Sequence, residues 1–482
     1  MPPQSPPRRV PRRAREGAAA RARRTVGGRA RWHGSAAVVT TLSAVAATCL
    51  MTAGTLAEPF SPDPCALPRT GAHHSEGLDS WNADYPRPVK DLDAVMVFLS
   101  FPDSRPRATP TRLVADHFPT TTRFFRRASY GAFTLRPHPL REWIRMPRPS
   151  TAYAVRRDWA PSDRAAYLRD AFAASDPRVD FSRYDIVYFV ADPNAPGVNA
   201  DATKVVNLDR PLRADGTDVR RVVTVFENHP PDRLVLAHET GHALDLPDLY
   251  RRPADGTGDW DTHVGDWDLM GSQFASAPDL FGWHKWKLGW LRPRQVACVR
   301  GRGSTRLTLE PLAAGPGVAV PGRDGRAAFG LGRGTKLAVV RTGPTEALAF
   351  EVRGRAGSDR HACREGVLVY RVRSRTPSGE GPIEVVDAHP KTSACPTRSV
   401  YPPLADAPVA AGETFTVPGE GVRVRAEGPT AAGTWTVIIT PGGPSRPARA
   451  LGATDARPKR GGPPNGGPPR VVRRQGLEPR TR

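Results

Sequence analysis

The sequence predicts an α/β domain followed by a smaller all-β sandwich domain, and three observations carry that prediction. Between residues 90 and 230, runs rich in β-branched and aromatic residues alternate with longer helix-like stretches, the pattern of a mixed sheet covered by helices. Beyond residue 296 the runs become short and are separated by Gly, Pro and Asp turns, as in a β-sandwich. Between the two lies LVLAHETGHALDLPDLY, residues 234–250, which carries His238, Glu239 and His242 in the spacing HExxH.

Taken in order, residues 1–57 hold ten Arg and one Glu and end in the charge-free stretch AAVVTTLSAVAATCLMTAGTLA, residues 36–57. That is the arrangement of an export signal peptide with a cleavage site at Thr55-Leu56-Ala57, or of an N-terminal membrane anchor if it is retained. Secretion is the expected outcome, with no stable membrane insertion once the signal is removed. Residues 58–89 read as a short linker or pro-segment. AVMVFLSF (94–101) reads as a buried strand, 113–129 as a helical region broken near Pro119, and 131–147 as extended structure with turns. Residues 164–175 read as a helix, YDIVYFVAD (184–192) as a second buried strand and RVVTVF (221–226) as a third. Pro230, Pro231 and Asp232 mark the start of the motif helix, since proline is tolerated in a first turn and Asp is favoured at the positive end of the helix dipole. The first domain therefore spans 90–295, with a cleft expected along its sheet edge. Runs such as ALAFEVRG, GVLVYRVRS, VRVRAEG and TWTVIIT place the sandwich at 296–440, and the Gly-, Pro- and Arg-rich residues 441–482 read as a disordered basic tail.

The net charge of +22 sits mostly in the two tails, +9 in residues 1–57 and +8 in residues 441–482, which leaves +5 for everything between. The body has no basic stripe interleaved with aromatics, so no nucleic-acid partner is expected. Of the five cysteines, Cys49 falls in the export segment, leaving Cys65, Cys298, Cys363 and Cys395. An even number in an exported chain predicts two disulfides with three possible pairings, of which the preferred one joins Cys363 to Cys395, both in one apparent domain, and Cys65 to Cys298. No CxxC spacing suggests a cysteine metal site.

On a helix, residues i and i+4 share a face, so His238 and His242 can reach one metal while Glu239 stands beside the open position. Such a zinc site has hydrolytic chemistry: the metal lowers the pKa of a bound water and Glu239 acts as general base. The plainer alternative is an amphipathic helix whose histidines are hydrogen-bonded surface or core residues.

Several separate motifs then occur in order: FLSFPD, RRASYGAFTL, WIRMP, HETGHALDLPDLY, GDWDLMG and FGWHKWKLGWL. With them the chain resembles the secreted immune inhibitor A-type metallopeptidases of the metzincin clan, over about residues 90–292. The resemblance implies an α/β (α+β) metzincin-like catalytic domain, one catalytic Zn2+, His238 and His242 as ligands, and Glu239 as the catalytic base. It implies that Met270 is the methionine of the turn beneath the metal, where residue pattern alone would make it core filler. Clan spacing from His238 puts Asp248 at the third ligand position, usually a histidine. It puts Asp245 where the clan has a glycine of positive φ, a conformation Asp tolerates better than most residues.

Residues 245–268 also hold an aspartate-rich loop, and Asp255, Asp259, Asp261, Asp266 and Asp268 form a candidate structural Ca2+ site, equally readable as a solvated acidic loop. The functional expectation is a monomeric, secreted zinc endopeptidase acting on protein or peptide substrates. The alternatives are a catalytically inactive calcium-binding or surface-binding protein on the same scaffold, and a different zinc hydrolase such as an aminopeptidase.

Overall fold

Buried strands and amphipathic helices assemble as the residue pattern requires. The structure, a computed structural model, describes residues 64–232, 234–253 and 257–442. The export-like segment, Asp255 and the tail beyond residue 442 lie outside the described residues. The α/β region runs β1 (Leu92–Ser100), α1 (Pro110–His117), α2 (Thr120–Ala128), β2 (Leu135–Arg145), α3 (Pro161–Ser175), β3 (Ile186–Ala191), β4 (Lys204–Ala214), β5 (Thr217–Val225), α4 (Val235–Ala243) and α5 (Gly282–Lys287). Its sheet has the order β2-β1-β3-β5-β4. β2, β1, β3 and β5 are parallel, and β4 pairs antiparallel with β5 at the edge.

Successive side chains of a strand face opposite sides, and β1 buries both sets. Ala94, Met96 and Phe98 pack with α1, α2 and α4, whereas Val95, Val97 and Leu99 pack with Tyr167, Leu168, Ala171 and Phe172 of α3. Three features depart from the sequence reading. The motif helix begins at Val235, and Pro230 and Pro231 lie in the bend before it. The edge strand β4 was not anticipated; its signal was Asp215-Gly216, whose φ angles of 50° and 72° make the tight turn into β5. Residues 64–89 are no free linker, because Leu67 and Leu78 are buried in the main core and Trp283 Nε1 donates to Glu76 O at 3.1 Å.

The β-rich region comprises β6 (Val296–Cys298), β7 (Thr305–Leu309), β8 (Val320–Pro321), β9 (Ala327–Ala328), β10 (Leu337–Arg341), β11 (Glu346–Arg353), β12 (Gly366–Arg373), β13 (Ile383–Val386), β14 (Thr414–Thr416), β15 (Arg423–Pro429) and β16 (Trp435–Thr440). A five-stranded sheet, β13-β12-β11-β10-β6, faces a four-stranded one, β14-β15-β16-β7, and β8 pairs with β9. Ala338, Val340, Phe350 and Val369 of the larger sheet share a core with Val424, Val437 and Ile439 of the smaller. The alternate residues Leu337, Val339, Ala349, Leu368 and Tyr370 belong to the core of the α/β region. One sheet thus serves as a wall common to both regions, and both fall in one unit, Phe60–Arg482.

Disulfides link Cys65 to Cys298 and Cys363 to Cys395, with Cα separations of 5.6 and 6.1 Å. They point to an extracellular or otherwise oxidising compartment. Among the described residues no helix is long and apolar enough to cross a membrane.

The shared wall carries a fully buried charge. Arg353 of β11 donates to Asp359 Oδ2 (2.7 Å), Glu351 Oε1 (3.0 Å) and the carbonyls of Trp267, Ala277 and Asp279, so all of its N–H groups are satisfied. Replacing it with methionine leaves two carboxylates buried without their cation. Arg353→Met should lower unfolding free energy by about 3–5 kcal/mol in urea denaturation, whereas a loss below 1 kcal/mol would show that the guanidinium is dispensable.

Candidate metal centre

α4 is buried along its whole length, from Val235 to Ala243, which places both motif histidines inside the protein. His238 Nδ1 lies 2.9 Å from Leu269 O, and His242 Nδ1 lies 2.8 Å from Leu246 O. A carbonyl only accepts, so each ring carries a proton on Nδ1 and in its neutral form leaves an Nε2 lone pair. The two Nε2 atoms are 3.2 Å apart. Asp248 Oδ1 lies 3.0 Å from His242 Nε2 and 3.4 Å from His238 Nε2, is buried, and makes no hydrogen bond. A tetrahedral zinc with bonds of about 2.0–2.1 Å separates its ligand atoms by about 3.3 Å. Those three separations match the edges of one such tetrahedron, and among the described residues this is the group of His, Cys, Asp or Glu able to hold a metal ion.

The electrostatics fit the same reading. Burial would raise Asp248, but His242 and His238 beside it hold its carboxyl well below the usual range. Burial would lower His242, yet Asp248 raises it to about 9. Glu239 lies beside His238 and accepts from Val205 N–H of the edge strand at 2.7 Å through Oε2. Burial pushes its carboxyl up, against the pull of His238 and His242. Tyr250 stacks on His238 at 6.2 Å and on Trp260 at 5.7 Å. Burial, with Asp248 and Glu239 nearby, keeps its phenol protonated. All these residues line a cleft of about 880 Å³ against β4.

Met270 is fully buried under α4. A Cβ on Gly241 would come within 2.5 Å of Met270 Sδ, so the glycine of HETGH lets the turn approach the helix. Asp268 Oδ1 accepts from Met270 N (2.7 Å), and Asp268 Oδ2 accepts from Phe281 N (2.6 Å) and faces His284 Nδ1 (3.1 Å). Asp245 does adopt positive φ, 69°. Its carboxylate takes Arg69 Nη1 at 2.8 Å and His74 Nδ1 at 3.0 Å, tying the 64–89 segment to the end of the motif helix.

The calcium reading is not supported by the described aspartates. Asp268 is spent as above, and Asp266 accepts from Ser276 N and Ser399 Oγ. Asp259 is exposed, Asp261 is pushed up to about 7 by burial and by Asp266, and these four do not converge as a metal-binding group. Asp255 lies outside the described residues. Sequence reasoning also missed Val205, His73, His74 and Ser378 at the cleft; their neighbourhood is created by tertiary contacts and had no local signal.

The sequence matches no protein-family model and no curated protein. Among solved structures, two crystal forms of wild-type OgpA from Akkermansia muciniphila show a weak likeness, at 10% and 11% identity and TM-scores of 0.23 and 0.24. Each alignment covers 64% of this chain and 94% or 95% of the other. A likeness at this level carries no functional argument, and the case rests on the site itself.

The support beneath the site titrates. Burial would lower His284, but Asp268 and Glu76 on either side raise it from 6.5 to about 9. A group with a raised folded pKa stabilises fully below its unfolded value and loses that contribution as pH rises through the folded value. Unfolding stability should therefore fall between pH 6.5 and about 9, and His284→Gln should lack that fall. Melting curves of the two proteins across pH 6 to 10 that ran parallel would disprove it.

Proposed function

We propose that the protein is a secreted zinc endopeptidase of the immune inhibitor A type, within the metzincin clan. The observation that carries this reading is the convergence of two Nε2 lone pairs and one unpaired carboxylate oxygen at tetrahedral spacing, with a buried glutamate beside them in an open cleft. His238, His242 and Asp248 would hold the metal. When bound, zinc supplies Lewis acidity, acidifying water towards a pKa of about 7 and polarising a carbonyl oxygen.

The remaining chemistry belongs to the chain. Val205 fixes Glu239 Oε2, which leaves Oε1 to take a proton from the attacking water as its oxygen bonds to the scissile carbonyl carbon. Glu239 then returns that proton to the amine as the C–N bond breaks. Leu269 and Leu246 hold the imidazoles in the tautomer that presents Nε2. The methionine turn sets the height of Leu269 O, and so the aim of His238.

The test is zinc content by elemental analysis together with cleavage of a generic protein substrate, with and without a chelator. The parent and Glu239→Gln should each hold one zinc per chain, the variant losing about 10²–10⁴-fold in turnover. His242→Ala should lose both zinc and cleavage. A Glu239→Gln variant as fast as the parent would remove the assigned base, and a parent chain that takes up no zinc would remove the metal reading.

A further inference from the structure

We propose that Ser378, on the loop between β12 and β13, is a positioning residue for Asp248, so that the β-rich region completes the metal centre. This rests on the metal reading above. Asp248 lies after α4 in a segment without helix or strand hydrogen bonding. The β12–β13 loop holds it instead. Asp248 N donates to Ser378 Oγ at 2.8 Å, the same hydroxyl faces Asp248 Oδ2 at 3.4 Å, and Gly379 N donates to Asp248 O at 3.0 Å. One hydroxyl therefore engages both the backbone and the outer carboxylate oxygen of the ligand, leaving Oδ1 directed at the two imidazoles. Two further bonds hold the loop in place: Ser378 N donates to His73 O at 3.2 Å, and Val385 N, in β13, donates to His263 O at 2.8 Å. Outer partners of this kind set ligand orientation, and their loss typically weakens metal binding about 10–100-fold.

The experiment is zinc affinity by competition with a chromophoric chelator, for the full chain, Ser378→Ala and Ser378→Thr, with melting of each metal-free protein. Ser378→Ala should bind zinc about 10–100-fold more weakly, Ser378→Thr should recover most of that loss, and the metal-free melting temperatures should agree. Alanine binding as tightly as the parent would overturn the role of Ser378 and leave the metal reading intact. Equal loss in both variants would assign the effect to loop packing and also overturn it. A parent that binds no zinc would remove both readings together.

Discussion

One fully buried carboxylate, Asp268, organises the centre of the molecule. Its two oxygens fix Met270 N, Phe281 N and the ring of His284, and His284 passes the link on to Glu76. The methionine turn, the start of α5 and the N-terminal segment are thereby referred to a single point. A buried carboxylate is costly unless its oxygens are satisfied, so each partner is held as firmly as it holds. The consequence reaches the metal group through the chain itself. Leu269, between Asp268 and Met270, supplies the carbonyl that orients His238.

The second constraint is the sheet with two buried faces. β11 is buried at every residue but the first, because one side meets the smaller sheet and the other meets α5 and the methionine turn. Such a strand has no solvent face beyond its first residue to carry polar groups, and the charges it buries, Glu351 and Arg353, are matched inside the wall. Gly282 N and Tyr370 Oη both donate to Glu351 Oε2, which ties α5 to the same sheet. The α/β region and the β-rich region therefore meet across a polar lattice embedded in an apolar core. That lattice explains why the β12–β13 loop can reach Asp248 with a defined register.

Much of the frame was legible in the residues. Buried strands β1 and β3 announced themselves as unbroken apolar runs, the break at Pro119 separated α1 from α2, and the spacing of His238 and His242 put both rings on one helix face. Two disulfides followed from export and an even number of cysteines, and the preferred pairing followed from Cys363 and Cys395 sharing one apparent domain. What escaped was structure whose cause lies elsewhere in the chain. β4 is polar along much of its length because it is an edge strand, so it lacks the apolar density of a central one. Residues 64–89 have no periodicity, and they are held by Asp245, Lys287 and His284, far along the sequence. The aspartate-rich loop stayed open between two readings for the complementary reason: composition counts carboxylates, whereas only the fold shows that Asp266 and Asp268 are already engaged by backbone donors.

Asp245 illustrates how the local and the distant causes combine. A positive φ at this position suits glycine, and aspartate accepts it at a modest cost. In return its carboxylate is available to Arg69 and His74, and Lys287 Nζ closes on its carbonyl at 2.6 Å. Burial would raise the Asp245 carboxyl, but the Lys287 charge, the hydrogen bond from His74 and the Arg69 charge hold it well below the usual range, so it stays charged. His74 is pulled down to about 4 by burial and stays neutral, which lets its ring stack 5.8 Å from His242 without adding a like charge beside that candidate ligand. A glycine here would satisfy the turn but leave the N-terminal segment without its anchor. The aspartate thus converts a helix-terminating turn into the joint between the segment carrying Arg69 and His74 and the wall of the cleft.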